Sequence, residues 1–196
     1  MGDTEELCSV SCLNGIGLLE AEKNIYKIGF GGGCHWCTEA VFQFVKGVSK
    51  VEQGWISSTG KDEAYSEAVL LEFNPEEISL EDLVAIHLST HSSFSNHPMR
   101  KKYRSAIYYF TSGQQESLSK IIGRLQESFE KKLVTRILPF ADFKINKEEY
   151  LNYYQKNNEN SFCAIYIEPK LGIVFTHFSD KASKALVKNK TLPKSV

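Results

Sequence analysis

Two cysteines three residues apart, Cys34 and Cys37 in the stretch GGGCHWC (residues 31–37), are the side chains best suited to chemistry in this sequence. A Cys-x-x-Cys pair supports three kinds of behaviour: a dithiol redox centre, one corner of a metal site, or two inert thiols in a tight turn. The elements around the pair favour the first. In NIYKIGFGGG the residues Ile25, Tyr26, Ile28 and Phe30 form a short apolar run that ends in glycine, a buried strand feeding a turn. From Cys34 onward Ala40, Val41, Phe44 and Val45 recur at helical spacing until Gly47. A strand that ends in glycines and opens directly into a helix sets Cys34 at the helix N-terminus. There the unpaired N–H groups and the positive end of the macrodipole favour a thiolate. Cys37 follows one turn later, near enough to join Cys34 without large backbone movement. His35, when protonated, adds a second cation beside Cys34.

The metal reading is weaker. Zinc ligands drawn from Cys34, His35 or Cys37 need partners, and Cys163 stands alone with no second Cys-x-x-Cys. His87 and His91, four residues apart, read as a solvated or capped helix end. A dinucleotide loop is excluded because GFGGGC lacks the third glycine of that motif.

The pair has to be held by the rest of the chain. VSKVEQGWI and SEAVLLEF read as strands joined by the turn-rich SSTGKDEAY. Ser79 precedes Asp82 by three residues, a capping-box variant, and Leu80, Leu83, Val84 and Ile86 make the apolar stripe of the helix that follows. RSAIYYF is the next strand, SGQQESLSKIIGRLQESFEKK a longer helix and LVTRILPF a final strand. The order strand–helix–strand–strand–helix–strand is the split βαβ, ferredoxin-like arrangement: an α+β, two-layer sandwich with an additional helix and strand. From about residue 140 a coil-rich, tyrosine-rich wrap is expected. Residues 1–24 read as an N-terminal extension in which Cys8 and Cys12 are incidental, 25–178 as a single catalytic domain, and 179–196 as a basic tail.

Bulk composition narrows the partners. With 42% hydrophobic and 24% charged residues the chain is globular, and its 196 residues suffice for a core without staples. A formal net charge of −1 argues against a nucleic-acid partner held by bulk electrostatics. No apolar run approaches the roughly 20 residues that cross a bilayer. The acidic start MGDTEELCSV is a poor signal peptide, so the expected compartment is the cytoplasm, where thiols stay reduced. Five cysteines, an odd number, do not suggest a structural disulfide set.

The motifs carry a resemblance. GCHW is similar to the G-C-F-W that the peptide methionine sulfoxide reductase A family places at the junction of its first strand and helix. The likeness continues through KGV, GW, AVLLEFNPEEISLEDL and YRSAIYYF and fades into EEYLNYY, about residues 25 to 155. It implies reduction of the S epimer of methionine sulfoxide, free or in oxidised proteins, by a monomer with no bound cofactor. Cys34 would attack the sulfoxide sulfur and become a sulfenic acid, and a second thiol would condense with it to a disulfide. Thioredoxin, or dithiothreitol in vitro, would reduce that disulfide. The resemblance further implies Glu67 as the acid that protonates the departing oxygen, Tyr103 as its hydrogen-bond partner, and Trp36 as an aromatic wall for the methyl group. His35 takes the place of the family's phenylalanine, and Tyr65 is the available substitute for a tyrosine on a substrate loop that is shorter here. Some members carry a cysteine at the position of Cys37, which makes it the first choice of resolving thiol; Cys163 is the alternative. HSS replaces the family's H-D-P, and SNHPMRKK lacks the acidic residue usual before Y-R-S. These departures bear on efficiency and substrate range more than on reaction type. The competing reading is a dithiol oxidoreductase or redox sensor without sulfoxide reductase activity.

Overall fold

The computed structural model describes residues 25–96 and 98–183, and in it the alternation along β1 (Tyr26–Gly31) sorts the molecule into two faces. Ile28 and Phe30 point to the helices and are fully buried, as are Val69, Leu71 and Phe73 of β3 (Ser66–Phe73) and Ile107 of β4 (Ala106–Tyr109). Against them pack Val41, Phe42 and Val45 of the α1 segment (α1, His35–Gln43) and Leu83, Val84 and Ile86 of α2 (Leu80–Thr90). Phe30 stacks on Phe42 with ring centroids 4.9 Å apart. Ser79 caps α2 as expected, accepting from the Asp82 amide while the Asp82 carboxylate accepts from the Ser79 amide.

β3 and β4 flank β1, both antiparallel to it, and β2 (Val48–Ser57) pairs antiparallel with β3. α1 therefore carries the chain from β1 to β2 across β3, and α2 carries it from β3 to β4 across β1. These are the two interleaved βαβ units of the ferredoxin-like arrangement. α3 (Ser112–Gln126) and β5 (Arg136–Pro139), which runs parallel to β4, are the additional helix and strand. α3 stops short of Lys132 because the Gln126 side chain folds back, donating to Lys131 O and accepting from the Leu133 amide.

β6 (Asp142–Ile145) pairs with β2, so among the described residues the sheet runs β5-β4-β1-β3-β2-β6. Only Phe140 and Ala141 separate β5 from β6 in the chain, a span of roughly 10 Å at full extension, yet the two strands lie at opposite ends of that order. The sheet must curl until its ends nearly meet. Ser58 Oγ closes the gap, donating to Pro139 O at 2.7 Å, and the Ala141 amide donates to Ser57 O at 3.2 Å. Ile56, Ala68, Ala106, Tyr108 and Leu138 fill the concave side, with Phe140 and Phe143 against them.

The wrap is more regular than the coil-rich segment expected. It holds β6, α4 (Tyr153–Asn157), a π-helical turn (Cys163–Ile167) and α5 (Glu168–His177). Buried Ile167, Leu171 and Val174, spaced four and three apart, form the apolar stripe of this last stretch, and Pro169 sits in its first turn. The chain stays on the domain past residue 178: Ala182 is buried, and the Ser183 amide donates to Phe44 O at 2.7 Å. The extension with Cys8 and Cys12, and the tail from residue 184, lie outside the described residues.

Candidate active site

The turn that delivers Cys34 depends on two glycines. Gly33 has φ +126°, a conformation L side chains rarely adopt, and Gly32 lies so close to two imidazoles that a Cβ there would stand 2.7 Å from His87 Cε1. His87 and His91 were expected on a solvated helix end. Instead they stack on each other with centroids 4.1 Å apart and floor the glycine turn. The His91 ring spans His87 O (2.5 Å) and Ser105 Oγ (2.8 Å), while buried His87 Nε2 has no hydrogen-bond partner among the described residues.

Cys34 is the N-cap of α1, in extended conformation, and its carbonyl accepts from the Cys37 and Thr38 amides. Its sulfur makes no capping bond of ordinary length. The Cys37 thiol holds Cys34 below the usual thiol value, helped by the amides of Cys37 and Trp36 and opposed by burial and by Glu67. Cys37 is pushed up, first by its hydrogen bond to Cys34 and then by burial. The pair therefore divides into a sulfur at the helix start that releases its proton more readily and one a turn in that keeps it. The Cys37 proton has a second acceptor, Tyr166 O at 3.8 Å.

Glu67 comes to the same helix start from β3. It is 5% exposed, and its Oε2 accepts from the His35 amide at 3.2 Å. Lys102 ties it to Tyr103: the ammonium stands 3.4 Å from Glu67 Oε1 and 5.0 Å over the Tyr103 ring. Strand pairing produces this arrangement, because the Glu67 amide donates to Lys102 O at 2.9 Å and so fixes the loop before β4 against β3. Nothing in the sequence pairs Lys102 with Glu67; the stretch before Tyr103 shows only the lack of an acidic residue.

The sequence leaves the charge of His35 open. Burial lowers the imidazole below its ordinary value, against the pull of Glu67, so the ring is neutral at pH 7. Its Nδ1 faces Gly54 O at 3.1 Å, its Nε2 lies 3.4 Å from Asn146 Nδ2, and Trp55 meets it edge-on at 5.6 Å. Trp36 is covered on one face by Tyr153, stacked at 4.0 Å and 4°, with Phe162 edge-on at 5.7 Å. Tyr65 donates its hydroxyl to Asp142 and has Lys144 4.0 Å over its ring, contacts that engage it with β6.

The wrap is anchored by a residue that sequence reasoning missed. Glu39, 2% exposed on α1, accepts from the Asn152 amide (2.8 Å), the Tyr153 amide (3.1 Å) and Gln53 Nε2 (3.2 Å). A carboxylate five residues after the nucleophile on the buried side of an amphipathic helix was the available signal. The anchored wrap brings fully buried Cys163 into one apolar cluster with Cys34 and Cys37. A cleft of about 300 Å³ opens beside the pair, lined among others by Gly32, Cys34, Cys37, His91, Tyr166 and Lys170. Among the described residues no group of three or more His, Cys, Asp or Glu is placed to hold a metal ion, and no helix is long and apolar enough to cross a membrane.

A cysteine sulfur and a carboxyl sharing one helix start, with a second thiol a turn away, fit a thiol-dependent oxidoreductase. Residues 26–182 match the family model described as Peptide methionine sulfoxide reductase. A peptide methionine sulfoxide reductase MsrA of Deinococcus radiodurans is 33% identical over 168 residues, covering 78% of this chain and 82% of its own. In fold, the chain is similar to methionine sulfoxide reductase A of Corynebacterium diphtheriae (TM-score 0.60, 21% identity, 75% of this chain and 82% of that one). It is also similar to Mxr1 from Saccharomyces cerevisiae in complex with Trx2 (TM-score 0.51, 18% identity, 64% and 83%). The chain belongs to the peptide methionine sulfoxide reductase family.

Proposed function

We propose that this methionine sulfoxide reductase acts on the S epimer, free or in oxidised proteins, with Cys34 as nucleophile, Glu67 as general acid and Cys37 as resolving thiol. The observation that carries the reading is the shared helix start: Cys34 caps α1 while Glu67 is held on the next amide, 3.2 Å away. The Cys34 thiolate attacks the sulfoxide sulfur and a proton from Glu67 goes to the oxygen. The oxygen ends on Cys34 as a sulfenic acid, the thioether leaves as methionine, and two electrons pass from the cysteine sulfur to the substrate. Tyr103, joined to Glu67 through Lys102, is positioned to hydrogen-bond the oxygen. Trp36 and His35 border the nucleophile, and Tyr65, engaged with Asp142 and Lys144 of β6, is kept as a further candidate for substrate contact.

Cys37 then condenses with the sulfenic acid to a disulfide and water. One helical turn separates the two sulfurs, which makes Cys37 the first choice over Cys163, although both share the cluster. A thioredoxin-type dithiol reduces the disulfide by exchange, a partner supported by the Trx2 complex of the yeast relative in fold. The chain is read as a cytoplasmic monomer that needs no bound cofactor and binds neither membrane nor nucleic acid, in keeping with a net charge of −1.

Incubation with peptide or free methionine-S-sulfoxide and dithiothreitol tests the reading. Methionine should form with wild type and not with Cys34→Ser. Disulfide exchange without methionine formation would instead establish the dithiol oxidoreductase.

A further inference from the structure

Lys170 is a cation that the reaction as described leaves unused. It stands on the first turn of α5, about 130 residues from the nucleophile in sequence, yet it lines the cleft beside Cys34 and Cys37. Its ammonium donates to Thr90 O, the last carbonyl of α2, a helix end that favours positive charge. Tyr166, whose carbonyl faces the Cys37 sulfur at 3.8 Å, lies one turn before it. Among the described residues no carboxylate forms an ion pair with Lys170; the anionic partners it senses are the sulfurs of Cys37 and Cys34. A half-buried cation without an anion is disfavoured, and the cleft it shares with Cys34 and Cys37 makes the thiols the groups its placement fits.

The need for such a cation arises in the second half of the cycle. Cys37 attacks only as a thiolate, and it is 6% exposed. Before turnover the Cys34 thiolate keeps the proton on Cys37. Once Cys34 is a neutral sulfenic acid that influence is gone. Burial and Cys163 then still hold the proton on, and Lys170 opposes them. The other groups that face this pocket are Glu67 of β3 acting on Cys34, His87 of α2 and its C-cap His91, both lowered by Lys170, Arg100 acting on His91, and Tyr153 of α4 beside the sulfurs. Burial holds both histidines neutral at pH 7, so they do not replace the cation.

We propose that Lys170 is the positioning residue that holds Cys37 as a thiolate for its attack on the Cys34 sulfenic acid. In that step the S–S bond forms, the S–O bond of the sulfenic acid breaks, and the hydroxide takes up the proton released by Cys37 to leave as water. No further reactant is needed. The inference rests on Cys37 being the resolving thiol.

The test follows sulfenic acid and disulfide in the full-length reduced protein. One equivalent of methionine-S-sulfoxide or, in parallel, of hydrogen peroxide oxidises Cys34, dimedone traps the sulfenic acid, and peptide mass mapping identifies the disulfide. In Lys170→Gln the Cys34–Cys37 bond should form at about one tenth of the wild-type rate at pH 7, sulfenic acid should accumulate, and the rate should recover as pH rises and solvent deprotonates Cys37. Lys170→Arg should retain the wild-type profile. A Lys170→Gln protein that closes the bond at the wild-type rate, or is slowed equally at every pH as a merely structural cap of α2 would be, overturns the inference. A wild-type Cys34–Cys163 bond overturns it together with the assignment of Cys37. Failure with sulfoxide but normal closure after peroxide would instead overturn the sulfoxide reductase reading while the Lys170 comparison still stands.

Discussion

Acid is expected to undermine the floor beneath the glycine turn that leads into Cys34. The perturbation is protonation of His91, whose ring packs under Gly32 and is stacked on His87. Burial lowers His91 from its ordinary value to about 4. Because the folded value is the lower one, the unfolded chain takes up the proton first as pH falls. The stability linked to His91 is therefore present above about pH 6.5 and is lost as pH falls towards about 4. The full shift corresponds to about 3.4 kcal/mol, of which about 2.4 kcal/mol is lost between pH 7 and pH 4.5. The edge of the ring meets the cleft, where water moderates the cost, so these figures are upper bounds. His87, lowered further by complete burial, acts in the same direction. Urea unfolding of wild type and of His91→Gln at the two pH values reads the combined effect of the stacked pair, since His91 also lowers His87 and the remaining titrations are common to both proteins. Wild type should lose about 2 kcal/mol more than the variant on acidification. Equal losses in the two proteins would refute the argument.

Glu67→Gln removes both a proton donor and a negative charge beside Cys34. Sulfoxide turnover should fall by about 10² to 10⁴, while the alkylation of Cys34 moves to lower pH because Glu67 no longer raises that thiol; turnover left unchanged would remove Glu67 from the acid role. Glu39→Ala should release the wrap from α1, with about 2–4 kcal/mol lost in urea unfolding from three hydrogen bonds to a charged acceptor and new proteolytic cuts between residues 146 and 160. Phe42→Ala should cost about 3–5 kcal/mol; a loss under about 1 kcal/mol would mean the Phe30–Phe42 stack is not a central contact.

What could be read from the sequence follows from how local each signal is. The placement of Cys34 needed only the strand, the glycines and the helix that follow one another in GFGGGCHWC, and the split βαβ order needed only periodicity and caps. The partners of the site needed contacts that periodicity does not encode. The helical spacing of His87 and His91 says that they share a face, not that a glycine turn covers that face. Lys102 reaches Glu67 only because β3 and the loop before β4 are side by side. His35 loses its charge to burial between Gly54, Trp55 and Asn146, contacts 19 to 111 residues away. In the wrap, Ile167, Leu171 and Val174 did carry a helical stripe, but it is short and is flanked by exposed Ile165 and Tyr166, which blur the pattern.

The curl of the sheet has a consequence for the company this protein keeps. A flat sheet ends in rows of unpaired amides and carbonyls, onto which a foreign extended segment can add itself. Here the ends are drawn together by the two-residue link between β5 and β6, and the Ser58–Pro139 bond bridges the closing rim. Acting on oxidised proteins, as proposed above, would bring the chain against many such segments. The near-closed roll leaves them little edge to pair with, so they would not be recruited into the sheet.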